Sequence, residues 1–323
     1  MGIARLAADG EQIRDGHNVE YLTLKSRSLL NRCNAPHMPF TWTINPYRGC
    51  EFACKYCYAR YTHEFMELDE LAFEQKIYVK QHAAWLLRQD LERVKPREQI
   101  AIGTATDPYQ PAEKRYEVTR SILEALAYYE GLDLGIVTKS NLVTRDIDVL
   151  QRIAARSRLS VSITITTVDA ELARILEPRA PRPDLRLQAL RQLIEEGISA
   201  GVIMAPVLPG ITDSLSGLEA VVRATAETGG RHIYANPLFL KPCSASIFLP
   251  FLEREFPKLV DDYRHRYQNG AFVSSAYRRR ISEIVARLRK KYGFAAAPSR
   301  ENAHERKSTA QAQTSSRQLQ FSF

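Results

Sequence analysis

The stretch NPYRGCEFACKYCYAR, Asn45–Arg60, holds three of the five cysteines of the chain, Cys50, Cys54 and Cys57, at CxxxCxxC spacing. It directly follows the β-branched run Phe40–Ile44. Three thiolates on one short loop can bind three irons of a 4Fe-4S cluster, which leaves the fourth iron open to a small molecule. We therefore interpret these three cysteines as the ligands of such a cluster.

Two other interpretations of the cysteines stay open at this point. A zinc ion prefers four ligands, and His63, six residues after Cys57, would complete a Cys3His set, although paired CxxC units are absent. Three packed, inert thiols are the second alternative. Cys33 lies in a polar segment and has no apparent role.

After the cysteine loop, short β-branched runs alternate with helical patterns, which is typical of βα units that feed a parallel sheet. The six strand candidates are Phe40–Ile44, Ile100–Thr104, Leu134–Lys139, Leu159–Thr166, Ile198–Pro206 and His232–Leu238. Helix candidates cover Glu113–Tyr129, Arg145–Ala155, Leu185–Glu196 and Asp213–Glu227. Six units make three-quarters of a barrel or an open doubly wound sheet. The fold class that we expect is α/β, a partial (βα)6 TIM-type barrel with a C-terminal helical cap.

Composition divides the chain into four parts. Residues 1–36 show little apolar periodicity and are expected to form an N-terminal arm, and residues 37–245 are expected to form the barrel. Residues 246–294 are expected to be helical. Residues 295–323 mix Ser, Gln, Ala and charged residues without a period, which predicts a disordered tail.

The positive charge is concentrated at the C-terminal end. Residues 1–253 hold 30 Lys and Arg against 31 Asp and Glu, whereas residues 254–323 hold 15 against 6. The amphipathic patterns Ser246–Tyr267 and Ser274–Tyr292 predict two helices that close over the end of the barrel. The run YRRRISEIVARLRKK, Tyr277–Lys291, can contact phosphates, and a helix whose basic side chains face water explains the same run without a partner.

Length and composition exclude several classes of protein. The 323 residues are 45% hydrophobic and 25% charged, the mix of a globular protein rather than a disordered or fibrous one. No apolar run approaches the ~18 residues that cross a bilayer, and the start, MGIARLAADGEQIRDG, lacks the apolar region of a secretion signal. We expect a cytoplasmic protein with no membrane partner.

Several motifs occur in a fixed order along the chain. NPYRGC and CKYCYAR are followed by TDPYQPAE at Thr106–Glu113, TKS at Thr138–Ser140, RDID at Arg145–Asp148 and LEPRAP at Leu176–Pro181. With its aromatic residue before the last cysteine, this set resembles the radical S-adenosylmethionine (SAM) superfamily, and within it the uncharacterised relatives of spore photoproduct lyase. The resemblance covers roughly Trp42–Pro257.

The resemblance implies a reaction and a set of SAM contacts. The open iron chelates SAM, an electron breaks a carbon–sulfur bond, and a 5'-deoxyadenosyl radical abstracts hydrogen from a substrate. By resemblance Tyr56 lies beside the adenine and Lys139 pairs with the SAM carboxylate. The remaining candidate contacts lie at or near strand ends, where the sites of parallel βα barrels collect; they are Thr104, Thr106, Ser162, Thr164 and Ala205. Asp107, Tyr109 and Glu113 form a polar group that either lines the substrate cavity or serves local turns.

The hydrogen donor and the partners are less defined. Spore photoproduct lyase uses a cysteine near the end of its second strand, and IAIGTATDPYQP, Ile100–Pro111, has none. Tyr109 and Cys243 are the substitutes that we consider. The expected partners are an unidentified substrate, with DNA or RNA and a DNA-repair reaction as candidates, and an electron donor such as flavodoxin or ferredoxin. The competing function is a nucleic-acid-binding protein whose metal site is structural.

Overall fold

The fold is built on six parallel strands that lie side by side in their order along the chain. The computed structural model describes residues 2–16, 18–34, 38–96 and 98–295. The parallel strands are β4 (Trp42–Ile44), β7 (Gln99–Ile102), β8 (Asp133–Thr138), β9 (Arg158–Thr164), β10 (Ala200–Val207) and β11 (Ile233–Pro237). Strand β3 (Leu30–Arg32) adds an antiparallel edge beside β4. The prediction of a partial (βα)6 barrel is confirmed.

A second, four-stranded sheet lies on the N-terminal side. Its order is β1-β2-β6-β5, with β1 (Gln12–Gly16), β2 (Val19–Leu24), β5 (Tyr47–Arg48) and β6 (Lys76–Lys80). The segment expected to be an arm therefore contributes to both sheets within the described residues, and Leu24 and Leu29 are fully buried. The sequence of this polar segment does not show the pairing, because β2 pairs with β6, more than fifty residues away, and its Leu24 packs against Ala7, Met66 and Tyr78.

Helices connect the strands, and several of them cover the outer face of the main sheet. They are α1 (Ile3–Ala8), α2 (Tyr61–Glu64), α3 (Ala83–Leu91), α4 (Glu113–Tyr116), α5 (Val118–Leu126), α6 (Ile147–Ala154), α7 (Ala170–Leu176), α8 (Pro183–Glu195), α9 (Leu215–Glu227), α10 (Pro242–Glu255), α11 (Val260–Tyr267) and α12 (Ser275–Lys291). Short 3-10 turns cover Tyr58–Arg60, Glu70–Glu74, Asn141–Asp146 and Pro257–Leu259. Among the described residues, no helix is long and apolar enough to cross a lipid bilayer.

The helix predicted over Glu113–Tyr129 is interrupted, because Glu117 adopts a left-handed conformation with φ of 48°. The buried carboxylate of Glu113 accepts the backbone N–H groups of Thr119 at 2.8 Å and Arg120 at 3.1 Å. These are orphan donors at the start of α5, so Glu113 caps this helix. Of the two roles considered for Glu113, the structure gives it the structural one.

The alternation along the strands separates the core from the barrel interior. Leu159, Val161 and Ile163 of β9 belong to the main hydrophobic core under the helices. Since successive side chains point to opposite faces of a sheet, Ser162 and Thr164 face the barrel interior. The same argument places Val202 and Met204 of β10 in the core, and Ile203 and Ala205 inside the barrel.

The C-terminal helices divide into two groups. Helix α10 packs against the cysteine loop, where Phe248 and Phe251 form a second core with Cys50, Phe52 and Tyr56. Helix α12 instead packs on β11 and α9, outside the sheet. The expectation that both predicted helices close the barrel end is therefore corrected. The run Ser246–Tyr267 is split between α10 and α11, which form the cap, whereas α12 takes the place of the sixth outer helix. The predicted tail, residues 295–323, lies outside the described residues apart from its first residue.

Candidate active site

The chain enters the cysteine loop through a position that requires glycine. Gly49 has a φ of 82°, and a Cβ atom there would lie 2.5 Å from the carbonyl oxygen of Lys76 and 2.9 Å from that of Phe73. The next residue, Cys50, donates its N–H to the Phe73 carbonyl at 2.9 Å. The glycine of the NPYRGC motif thus permits a close approach of three backbone segments, which sets the direction of the loop.

The loop after β7 holds the first half of the cysteine loop. The Thr106 hydroxyl and the Gln110 amide donate to the Gly49 carbonyl at 2.6 and 3.1 Å. Gln110 also accepts the N–H of Glu51 at 3.0 Å, and the Glu51 carboxylate accepts the N–H of Ala112 at 2.7 Å. These reciprocal hydrogen bonds explain why TDPYQPAE accompanies the cysteine motif. They also assign the Thr106 hydroxyl to the loop backbone rather than to a ligand.

The three thiols of the loop are free and lie in a nonpolar environment under α10. Burial raises the pKa of all three, that of Cys54 to about 12, and the charge of Asp107 raises the pKa of Cys50 further. The thiols are therefore neutral on their own, and bound metal is what deprotonates such a group. Among the described residues, no three His, Cys, Asp or Glu side chains are placed to hold a single metal ion. An iron–sulfur cluster binds each thiolate to a different iron, so this donor set fits a cluster.

A buried charged group lies beside the thiols. The Tyr56 hydroxyl donates to Glu177, and Arg186 pairs with Glu177 at 2.5 Å, with both members of the pair at most 1% exposed. The Lys139 ammonium lies 5.6 Å from the centre of the Tyr56 ring. Burial alone raises the pKa of Glu177, but Arg186 and Lys139 outweigh it and hold this pKa below its usual range. Glu177 is thus the ionised centre between two cations.

Lys139 is positioned through its backbone by Asp107. One Asp107 oxygen accepts the Lys139 N–H at 2.7 Å, and the other accepts the Thr138 hydroxyl at 2.7 Å and the Tyr109 N–H at 2.9 Å. In the described part of the chain the Lys139 ammonium forms no ion pair. Its charge therefore remains available for an anionic ligand, as the SAM-carboxylate hypothesis requires.

The other candidate contacts differ in what their polar groups do. The Thr104 carbonyl accepts the Tyr58 hydroxyl, and its side chain accepts the Asn45 amide at 3.4 Å. The Thr164 carbonyl accepts from Arg186 at 3.0 Å. The Ser162 hydroxyl lies 2.9 Å from Nε2 of His232. With Lys139, the residues Ser162, Thr164 and Ala205 share the barrel interior, where Ala205 is half-buried.

The two candidate hydrogen donors lie in different places. Tyr109 is 1% exposed and belongs to the main hydrophobic core, where burial, Asp146 and Glu113 raise its pKa. Tyr109 is thus packed in the core rather than exposed to solvent. Cys243 is buried in the first turn of α10, and the hydroxyl of its neighbour Ser244 donates to the Cys57 carbonyl at 2.9 Å.

Sequence reasoning missed Glu177, Arg186 and Tyr58. Glu177 lies in the LEPRAP motif, after the fourth parallel strand, and a carboxylate at that end of the sheet was a usable signal. Nothing in the sequence linked Arg186 to it, since helix α8 places Arg186 by tertiary contact.

Comparison with known proteins identifies the family. The family model described as the radical SAM superfamily matches residues 44–216, which include the cysteine loop and the strand ends described above. The chain belongs to the radical SAM superfamily. Membership implies an iron–sulfur cluster and S-adenosylmethionine as cofactors.

The relatives of this radical SAM protein are uncharacterised. An uncharacterised protein of Mycobacterium tuberculosis is 38% identical, over 83% of this chain and 80% of its own length. An uncharacterised protein of Methanocaldococcus jannaschii is 27% identical, over 84% of this chain and 95% of its own length.

Among solved structures, a spore photoproduct lyase variant superposes with a TM-score of 0.63 at 17% identity, covering 84% of this chain and 79% of that chain. Another such variant, with bound AdoMet and dinucleoside spore photoproduct, gives a TM-score of 0.61 at 17% identity, with the same shares covered. These superpositions establish a shared fold.

Proposed function

We propose that Cys50, Cys54 and Cys57 hold a 4Fe-4S cluster and that the chain is a radical SAM enzyme acting on a substrate bound at the barrel mouth. The observation that carries the proposal is the junction of the free-cysteine loop with the Tyr56, Glu177 and Lys139 group. When bound, the cluster and SAM supply the reductive cleavage that yields a 5'-deoxyadenosyl radical.

The residues of the chain have distinct roles in this proposal. Lys139 supplies a point charge for the SAM carboxylate, since it is half-buried and has no ion-pair partner within the described residues. Tyr56 presents its ring for the adenine, and its hydroxyl is fixed by Glu177. Thr104 and Ala205 offer groups at the ends of β7 and β10. The cap helices α10 and α11 cover the loop and keep water from the thiols.

The substrate, the hydrogen donor and the electron donor are further parts of this proposal. A nucleic acid and a DNA-repair type of reaction are supported by the fold shared with spore photoproduct lyase, one variant of which binds a dinucleoside photoproduct. Cys243 is the better hydrogen donor candidate, since it adjoins the Ser244–Cys57 contact, whereas Tyr109 lies in the core. A flavodoxin or ferredoxin would supply the electron in the cytoplasm.

The experiment is anaerobic reconstitution of the full chain with iron and sulfide, followed by SAM and dithionite. The expected results are four irons per chain, an absorbance shoulder near ~400 nm and release of 5'-deoxyadenosine, as a 4Fe-4S site with one open iron requires. Each single Cys→Ala change at positions 50, 54 and 57 abolishes the release. A triple Cys→Ala variant that still cleaves SAM would overturn the proposal.

The competing function, a nucleic-acid-binding protein with a structural zinc, has one observation against it. The zinc site would need His63, but Nε2 of this buried imidazole lies 3.2 Å from the Lys76 carbonyl, and the ring packs edge-on against Phe73. Metal analysis of the purified protein separates the two functions. One zinc per chain and no iron uptake would favour the structural site.

A further inference from the structure

Five aromatic side chains form a continuous row at the rim of the barrel. In order they are Phe65, Tyr61, Tyr58, Phe239 and Phe272, and neighbouring ring centres are 5.5, 6.4, 6.3 and 4.5 Å apart. We name this row the aromatic strip. Its residues come from α2, the adjoining 3-10 turn, and the two segments that flank α10 and α11, where Phe239 and Phe272 form an antiparallel bridge.

The aromatic strip is accessible to a ligand. Phe272 is 63% exposed, Phe65 60% and Tyr58 40%, and the two remaining rings are half-buried. A run of exposed aromatic surface of this kind marks an interaction site on a globular protein. The Tyr58 hydroxyl points inward to the Thr104 carbonyl at the end of β7, and Tyr58 directly follows Cys57. The strip therefore begins at the candidate active site and leads away from it.

Cations accompany the rings. The Lys241 ammonium lies 4.0 Å from the centre of the Tyr61 ring and 5.9 Å from that of Phe239, and the Arg278 guanidinium lies 5.9 Å from that of Phe272. Neither cation forms an ion pair within the described residues. Helix α2, which carries Tyr61, also holds the exposed carboxylate of Glu64. The positive potential of the strip is therefore limited to the surroundings of Lys241 and Arg278.

Arg48 adds a third cation behind Tyr61. Its Nη1 atom donates to the Thr62 carbonyl at 3.5 Å, while its Nε atom is buried and has no hydrogen-bond partner among the described residues. Because this Nε atom is buried, Arg48 adds positive potential behind Tyr61 rather than a direct contact for a ligand. The surroundings of Tyr61 thus combine an aromatic face with two cations, Lys241 and Arg48.

We propose that the aromatic strip binds unpaired bases of a single-stranded nucleic acid, whose phosphates pair with Lys241 and Arg278. Every base has a π face that stacks on an aromatic side chain, and a flexible strand can place successive bases along a row of rings. Bases of an intact duplex are already stacked and paired, so they are not free to do so. An acidic peptide offers negative charges but no planar bases that could stack on the rings.

This inference deepens the proposed function, because it names the class of substrate that reaches the barrel mouth. Binding itself does not depend on SAM cleavage. Failure of the strip therefore leaves the cluster chemistry intact, and failure of SAM cleavage leaves the binding result intact.

The test measures binding of the reconstituted full chain to fluorescent probes by anisotropy. The probes are a single-stranded DNA and a single-stranded RNA of about 12 nucleotides, the matching DNA duplex, and a polyglutamate peptide of similar charge. We expect the single strands to bind at least tenfold more tightly than the duplex and the peptide. The affinities for single-stranded DNA and single-stranded RNA then show which of the two the strip prefers.

The variants remove one ring and one charge of the strip. Phe272→Ala should weaken single-strand binding about fivefold or more, since a stacked base contributes ~1–3 kcal/mol, where 1.4 kcal/mol is tenfold. Lys241→Gln should also weaken single-strand binding, because it removes a charge that pairs with a phosphate. The matched control is Tyr128→Ala. Tyr128 is 72% exposed and carries Arg88 at 5.9 Å from its ring centre, but it lies outside the strip, so its loss should leave binding unchanged.

Three results would overturn the proposal. The first is equal or tighter binding of the duplex with no effect of Phe272→Ala, which together indicate binding by charge alone. The second is preferred binding of the polyglutamate peptide, and the third comes from a charge control. Arg287→Gln, on the exposed face of α12, serves as the charge control: if it weakens single-strand binding as much as Lys241→Gln does, the strip has no special role.

Discussion

The two sides of the barrel mouth are built in opposite ways. On the cysteine-loop side, buried polar groups satisfy one another: Thr106 and Gln110 hold Gly49, and Arg186 holds Glu177. On the side of the aromatic strip, rings as exposed as Phe272 lie beside cations that have no acidic partner within the described residues. The first arrangement fixes the positions of the cysteine-loop atoms, and the second leaves rings and charges accessible to a ligand.

The difference predicts where a substitution lowers the stability of the protein most. An unpaired buried polar group loses its hydration without compensation, so each member of the cysteine-loop network depends on its partners. An exposed ring loses little when it is removed, because water already covers much of it. We therefore expect changes on the first side to affect folding and cofactor binding together, and changes on the second side to affect binding alone.

The largest contrast concerns the thiols. Cys54→Ala should reduce both iron content and 5'-deoxyadenosine release to background, because one thiolate ligand of the cluster is lost. Cys243→Ser, which removes a buried thiol outside the loop, should keep the iron content. Iron and sulfide analysis after reconstitution checks both. Equal iron loss in the two variants would mean that cysteine burial, not loop position, controls the site.

The next contrast tests the buried ion pair. Glu177→Gln leaves the Arg186 guanidinium buried without its counter-charge, so the free energy of unfolding should fall by about 3–5 kcal/mol. Asp184→Asn breaks the exposed pair with Arg182 and should leave the urea midpoint nearly unchanged. Urea unfolding of the three proteins at pH 7 measures this, and similar midpoints would contradict the importance assigned to Glu177.

A pH experiment probes the buried imidazole next to the loop. Burial lowers the pKa of His63 from 6.5 to about 4. Between these pH values the unfolded chain binds a proton on this ring and the folded chain does not, so stability falls as the pH falls, by up to about 3 kcal/mol at pH 4. Urea midpoints at pH 7, 5.5 and 4.5 should show a weaker pH dependence in His63→Phe. The exposed His265→Gln should keep the original dependence.

A pair of glycines isolates the close approach at the entrance of the loop. Gly49 and Gly131 both have positive φ values, 82° and 72°, but a Cβ at Gly131 would meet no atom within 4 Å. Gly131→Ala should cost about 1 kcal/mol from the backbone conformation. Gly49→Ala should cost clearly more and lower iron uptake, because two carbonyls must move. Equal losses would show that the three backbone segments adjust easily.

The smallest expected effect concerns the strip. Phe272→Ala should change the free energy of unfolding by no more than about 0.5 kcal/mol, as is usual for surface positions. Phe73→Ala, at a ring that is 1% exposed beneath the cysteine loop, should cost about 3–5 kcal/mol. Thermal unfolding is sufficient to compare them. A large loss for Phe272→Ala would mean that the strip is part of the fold.

Several elements followed from the sequence for clear physical reasons. All six parallel strands were predicted, because β-branched runs separated by helical patterns have few other solutions. Helix α12 was predicted over nearly its observed length, but its place on the outside of the sheet was not, since amphipathicity shows that a helix has an apolar face without showing what that face packs against.

The site residues show the same division. Asp107 and Thr106 were identified as polar residues near a strand end, but the structure uses both as supports, for Lys139 and for Gly49. Tyr109 was considered as a hydrogen donor and is found in the core. A short polar motif does not state which of its side chains point inward, because that depends on the loop around it.

What the sequence by itself determined is the local chemistry: three thiols on one loop, the glycine that precedes them, and the alternation that makes a parallel barrel. These are encoded in contiguous residues, so they can be read from them. What only the tertiary structure decided is assembly over distance. It joins Tyr56 to Glu177 across 121 positions of sequence separation, and places Phe239 and Phe272 beside Tyr58. Such contacts arise from the packing of elements that are far apart in the chain, and no local pattern specifies them.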